Sequence, residues 1–234
     1  YNSNLCDYMW NGNSTTMKRL KKILLSPLTS LLTMMICIFI FVNNTSFVES
    51  IKYRYFDTLI TSKPVTQSKQ ISVVNIDDEV LKQKGQFPFP RGEYANIIKS
   101  LYDHGAGLVV FNIYMPDTDR FGQDYILSSA LQKYPVILPQ VGSNDDPSKV
   151  IPFRPGVSVI GDGNVGVVYK SIQPNVKQLN ETAAGIGIVN TLPEIDGVTR
   201  RVPMVVQSGD KLLYPSISLE SLRVASGDPS FQVK

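Results

Sequence analysis

Cysteine is nearly absent. The 234-residue chain has two, Cys6 and Cys37. The first lies upstream of a basic cluster and the second inside an apolar run, so everything after residue 42 has none. That region can form no disulfide and no thiolate metal site, and its core alone must hold it. Histidine is almost as scarce: His104 is the only one, so zinc would find no His cluster. Net charge is missing as well. Of 23 basic and 20 acidic residues, Lys18, Arg19, Lys21, Lys22 and Asp7 precede residue 23, leaving 19 of each sign from there on. A balanced chain has no electrostatic footprint for DNA or RNA, and no nucleic-acid partner is expected. The phosphate-cradling G-x-x-x-x-G-K-[ST] and the nucleophile elbow G-x-S-x-G are absent too.

Charge is wholly missing from Ile23 to Val42. The run is about the twenty residues needed to cross a bilayer core. The basic cluster lies before it, and Asn43, Asn44, Thr45 and Ser46 come after. The positive-inside bias then keeps the N-terminus cytoplasmic and exports the chain beyond Val42. The rival reading is a cleaved signal peptide. Its apolar region is usually shorter and no A-x-A site follows, so an uncleaved anchor is expected. The expected organisation has a cytoplasmic segment over 1–22, of which 1–16 reads as an extension upstream of a start at Met17. A transmembrane helix over 23–42 follows. A stalk and linker over 43–68 carries Tyr53, Phe56, Leu59 and Ile60 as a helical stripe ended by Pro64. Residues 69–234 form one extracytoplasmic domain, read as truncated at Lys234. About 190 residues beyond the membrane are enough for a sizeable core.

The informative stretch of that domain is 71–117. An apolar run from Ile71 to Ile76 ends in Asp77, Asp78 and Glu79. Gly85-Gln86-Phe87-Pro88-Phe89-Pro90-Arg91 follows, and then Tyr94, Ile97, Ile98, Leu101 and Tyr102 fall on one face of a helix. Gly105 sits where a left-handed residue would stop that helix. A second apolar run, Leu108 to Ile113, leads to Tyr114-Met115-Pro116-Asp117. Strand, helix, strand predicts a right-handed βαβ unit with parallel strands. Both strands would then end on one edge, where open α/β sheets bind ligands. That placement makes Asp77, Asp78, Arg91, Asn112 and Asp117 the candidate site.

Further on, 120–133 predicts a helix with Tyr125, Leu127 (or Ile126) and Leu131 inward, and Pro135 to Pro139 a third parallel strand. Asp196-Gly197 between β-prone runs predicts a hairpin, Ser208-Gly209-Asp210 a further turn, and Ser216 to Ala225 a last helix. The fold class is α/β: a mainly parallel sheet with flanking helices and a β-hairpin extension, behind one N-terminal transmembrane helix.

Each candidate residue has a plainer role open to it. Asp77 or Asp78 could cap the helix that comes next. Phe87 and Phe89 suit a hydrophobic plug, and Arg91 suits either a structural bridge to the acidic residues or an anion clamp. His104 closes a helix, where it complements the dipole. Two functional classes remain: an anchored sensor for a small molecule, an ion or an envelope component, and a hydrolase holding a divalent cation on Asp77, Asp78 and Asp117.

The order of motifs resembles the CHASE domain of type 2, a sensory module outside the bacterial cytoplasmic membrane. Phe56-Asp57, Ile76-Asp77-Asp78, the Gly85 to Arg91 segment, Gly105-Ala106-Gly107 with Phe111-Asn112-Ile113, Asp196 to Pro203, and Tyr214-Pro215-Ser216 carry the resemblance over about 51–225. The chain departs at Asn112, where that family has an aspartate, and at the phenylalanines, where it has tryptophans. The resemblance implies a non-catalytic sensor segment with no cofactor. It also implies a homodimer, and a domain that continues through more strands and is followed by membrane helices and a cytoplasmic effector: a nucleotide cyclase, a histidine kinase or a serine/threonine kinase.

Overall fold

The computed structural model describes residues 18, 22, 26–43, 46–64, 68–145, 156–160, 166–209 and 211–233. The tail over 1–16 and residues 23–25 of the expected span lie outside them. The chain divides into two compact units, Tyr1–Gln70 with Ile195–Gly197, and Ile71–Glu194 with Val198–Lys234.

The first unit contains helices α1 (Pro27–Val42) and α2 (Ser46–Thr61). Ser26 caps α1 by accepting from the Leu28 N–H, and Pro27 occupies its first turn, where a missing N–H costs nothing. Not one side chain of α1 is charged and none is buried. Among the described residues, no single helix is long and apolar enough to cross a membrane. The α1–α2 pair passes that test by length and composition together, bent by 80° at its break.

The second unit is built on β2 (Val136–Ser143). It pairs in parallel with β1 (Val109–Val110) and β6 (Gly185–Ile188), and antiparallel with β5 (Ser171–Gln173). A smaller sheet joins β4 (Val168–Tyr169), β7 (Val205–Ser208) and β8 (Leu213–Pro215), and β3 (Gly156–Val159) pairs in parallel with β9 (Ser230–Val233). Helices α4 (Arg91–Asp103), α5 (Asp124–Lys133) and α6 (Lys177–Thr182) bring Tyr94, Ile98, Leu127, Leu131 and Leu179 into one buried cluster with Val136 and Leu138. The apolar stripe read from the sequence is therefore the core face of α4. The helix ends as expected, with Gly105 at φ +91° and the Ala106 N–H donating back to Leu101. The last helix, α7 (Ile217–Ser226), is capped by Ser216 and lies close against β6. A Cβ on Gly187 would collide with the Ile217 Cα, so only glycine fits there.

Three expectations need correction. Residues 71–76 are extended but pair with no strand among the described residues, and Ile71, Val73 and Val74 are exposed. The βαβ unit thus lacks its first strand, and β1–β2 begins the parallel ladder. The hairpin lies one turn further on, too. Strands β7 and β8 pair around 208–212, whereas Val198 to Pro203 forms no strand after the Asp196-Gly197 turn. Helix α5 starts at Asp124 because Gly122 is left-handed, at φ +66°, and Asp119 accepts from the Gln123 N–H at 3.0 Å. Tyr125 points to solvent, whereas Leu127 and Leu131 are buried as expected.

Candidate functional site

Beyond β1 the chain runs over the C-terminal ends of the parallel strands as Phe111 to Arg120. Two residues from far along the sequence hold this loop. Asn175, buried in the turn before α6, accepts the Met115 N–H at 2.9 Å and donates to the Pro139 carbonyl at 2.6 Å. The Val176 N–H donates to the Met115 carbonyl, so Met115 is tied through both its N–H and its C=O.

Arg91 opens α4 and is buried. Its Nη2 donates to the Asp117 carbonyl at 3.0 Å, and its Nε donates to Asp124 Oδ1 at 3.2 Å. Asp124 also accepts the Asp119 N–H at 2.9 Å, and Gln123 Oε1 accepts the Gly92 N–H at 3.0 Å. These bonds sew the starts of α4 and α5 to the loop. The buried charge is paired and hydrogen-bonded, as burial requires.

Between the loop and the Phe87 to Phe89 turn lies an open depression of about 310 Å³. The Phe87–Pro88 peptide is cis. Phe89 is buried and packs in the core against Tyr94, whereas Phe87 stays half exposed on the rim at 45 %. The Phe89 N–H donates to the Tyr94 hydroxyl at 3.0 Å. Arg91, Met115, Asp117 and Arg120 line the remaining walls. Burial pushes the Tyr114 phenol up from its ordinary pKa, and the neighbouring Asp117 carboxylate adds to the effect. Burial likewise raises Tyr94, partly offset by its bond from the Phe89 backbone and by Arg91.

Of the five residues singled out from sequence, Arg91 and Asp117 share this depression and are directly bonded, through the Asp117 backbone. The other three do not line it. Asp77 caps α3 (Asp78–Lys84), its Oδ1 accepting the Val80 N–H at 3.0 Å, and Asp78 lies in the first turn. Asn112 is exposed. Arg91 bonds Asp124 and not the acidic residues after residue 76. Among the described residues, no three His, Cys, Asp or Glu side chains gather where they could hold a metal ion. Asp77, Asp78 and Asp117 do not come together as such a group.

The sequence reading missed Asp124, Gln123 and Asn175. The signals present were the Asp119 to Asp124 stretch, which has helix-start chemistry, and Pro174-Asn175, a turn dipeptide pattern. It also missed a buried pair on α7. Glu220, fully buried, accepts from Arg223 Nε at 2.8 Å and Nη2 at 2.7 Å. That pair packs under Gly185 and belongs to the helix–sheet contact, away from the loop.

With this geometry in place, the comparison with known families is specific. The CHASE2 domain family model matches residues 32–233, nearly the whole chain. The chain belongs to the CHASE2 family. CHASE2 is a family of extracellular sensory domains. No curated protein and no solved structure matches the chain.

Proposed function

We propose that this chain is the extracytoplasmic sensor portion of a receptor anchored in the bacterial cytoplasmic membrane. The observation that carries the reading is the extent of the family match. It begins at residue 32, inside the uncharged helix α1, and runs through the α/β unit to residue 233. Apolar helix and sensory domain thus belong to one matched unit. Residues 23–42 serve as the anchor and 43–68 relay the stimulus towards a cytoplasmic effector: a nucleotide cyclase, a histidine kinase or a serine/threonine kinase. The receptor works as a homodimer.

The stimulus is a small molecule, an ion or an envelope component, read at the edge formed by the loop after β1. Arg91 and Asp117 form its floor and Phe87 its rim. Thermal unfolding of the purified chain in detergent, against Ca²⁺, Mg²⁺ and a panel of small metabolites, tests this. A compound present at a hundred times its dissociation constant adds roughly 2.7 kcal/mol. The expected result is a shift that Phe87→Ala abolishes, since that half-exposed ring can be removed without opening the core. A well-folded sample that responds to no compound would sink the small-ligand reading.

A further inference from the structure

The fold leaves the extended apolar segment from Ile71 to Ile76 open. Ile71 and Val73 on one face are exposed to 73 % and 81 %, and Val74 on the other to 67 %, so neither face is covered. None of the segment's backbone N–H or C=O groups is hydrogen-bonded among the described residues. Only Ile76, at its end, is partly buried and packs against the core. An extended apolar run with free backbone groups is a template for pairing with another strand.

The charges that flank the segment select its partner. Lys69 stands two residues before it, and Asp77, Asp78 and Glu79 follow it directly. All four side chains are exposed, and among the described residues none of them is in an ion pair. A second copy running antiparallel sets each lysine against the acids of the other chain, once at either end of the pair. A parallel copy would set acids beside acids, which is destabilising. The free edge of this chain's own β1 is the weaker occupant, because a parallel strand there carries the acids toward Asp117. We propose that Ile71 to Ile76 pairs antiparallel with the same segment of a second copy, about a two-fold axis through Val73. This rests on the membrane-anchored homodimer of the preceding section. A two-fold axis between antiparallel strands sets one residue opposite itself. With Val73 there, Ile71 lies opposite the partner's Asn75 and Lys69 opposite the partner's Asp77. Two such strands are marginal alone, so the pairing works at the effective concentration that a shared membrane sets.

The test uses the full chain with Cys6→Ser and Cys37→Ser, reconstituted into lipid vesicles. Single cysteines are introduced by Ile71→Cys, Val73→Cys or Asn75→Cys, all at exposed positions, and copper phenanthroline oxidation is followed on non-reducing gels. Opposed residues of an antiparallel pair have Cα atoms about 4.5–5.5 Å apart, inside the disulfide range. An offset of four residues adds roughly 14 Å and lies outside it. Expected are a crosslinked dimer from Val73→Cys alone and one from Ile71→Cys mixed with Asn75→Cys. Ile71→Cys or Asn75→Cys by itself should crosslink many-fold less, and adding Lys69→Glu should slow the Val73→Cys reaction several-fold. Efficient crosslinking of all three cysteines, each with its own kind, would mean parallel pairing and overturn the inference. An intrachain disulfide in Val73→Cys/Val110→Cys, with no dimer from Val73→Cys, would assign the segment to β1 instead. Homodimerisation is read separately, from the photobleaching steps of vesicle-bound chains carrying one dye at Leu222→Cys. Two steps without the crosslinks would overturn this contact and leave the homodimer standing. Single steps throughout would remove the homodimer, and this contact with it.

Discussion

Replacing Arg91 with methionine keeps most of the aliphatic bulk and deletes both donors that bind the loop. Its guanidinium reaches Asp124 at 3.2 Å and the Asp117 carbonyl at 3.0 Å, and the two side chains are only 9 % and 12 % exposed. Without the arginine, Asp124 keeps the bond from the Asp119 N–H, and its carboxylate is left buried beside an apolar neighbour. Breaking a buried pair by removing one partner costs about 3–5 kcal/mol. The residual exposure puts Arg91→Met near the lower end, about 3 kcal/mol. Adding Asp124→Leu removes the stranded charge and orphans only the Asp119 N–H, a loss of about 1–3 kcal/mol. The double variant should therefore be more stable than the sum of the two single losses by at least about 1 kcal/mol. Urea unfolding of the three variants, followed by far-ultraviolet circular dichroism, reads this from midpoint and slope. Arg91→Met within about 0.5 kcal/mol of wild type, or strict additivity, would refute the clamp.

Asn175→Ala should cost about 2–4 kcal/mol, because it strands the Met115 N–H and the Pro139 carbonyl in the interior; urea midpoints check this against wild type. Gly187→Ala drives a methyl into the Ile217 Cα and should cost about 3 kcal/mol. Gly107→Ala, which meets nothing within 4 Å, should be near neutral in the same assay. Tyr114 has its phenol pKa raised in the folded chain, so its contribution is complete below the unfolded value of about 10 and is lost as pH climbs through the raised one. Tyr114→Phe should flatten part of the stability drop between about pH 9 and pH 11. Because that hydroxyl has no hydrogen-bond partner among the described residues, the same change should cost less than about 1 kcal/mol at neutral pH. A full-sized alkaline drop in the variant would assign the loss to Tyr94, Tyr102 and Tyr169 instead.

Elements whose signals are local were legible. The i, i+3, i+4 stripe of α4, its Gly105 stop, the last helix from about Ser216 and the apolar β2 are each written within a dozen residues of chain. Pairing was not. Ile71 to Ile76 and Val136 to Ser143 look equally strand-like, yet only the second has neighbours on both sides, and strand formation depends on those distant partners. The same limit moved the hairpin: Asp196-Gly197 and Ser208-Gly209 are both good turns, and the strands that meet across them decide which one closes. The site was half legible for a related reason. Arg91 and Asp117 stood out, but Asp124 and Asn175 act 33 and 60 residues from the groups they bind, and nothing in the local sequence joins them. The acidic run after Ile76 drew attention by composition, whereas Asp77 caps a helix.

The central claim is that the α/β unit faces the outside of the membrane behind an N-terminal anchor. Replacing Cys6 and Cys37 with serine and exposed Leu222 with cysteine gives one reporter thiol on the last helix. Intact bacterial spheroplasts expressing this chain are then treated with a membrane-impermeant maleimide. The account predicts labelling of the intact cells equal to that after lysis. Labelling only after lysis would contradict it.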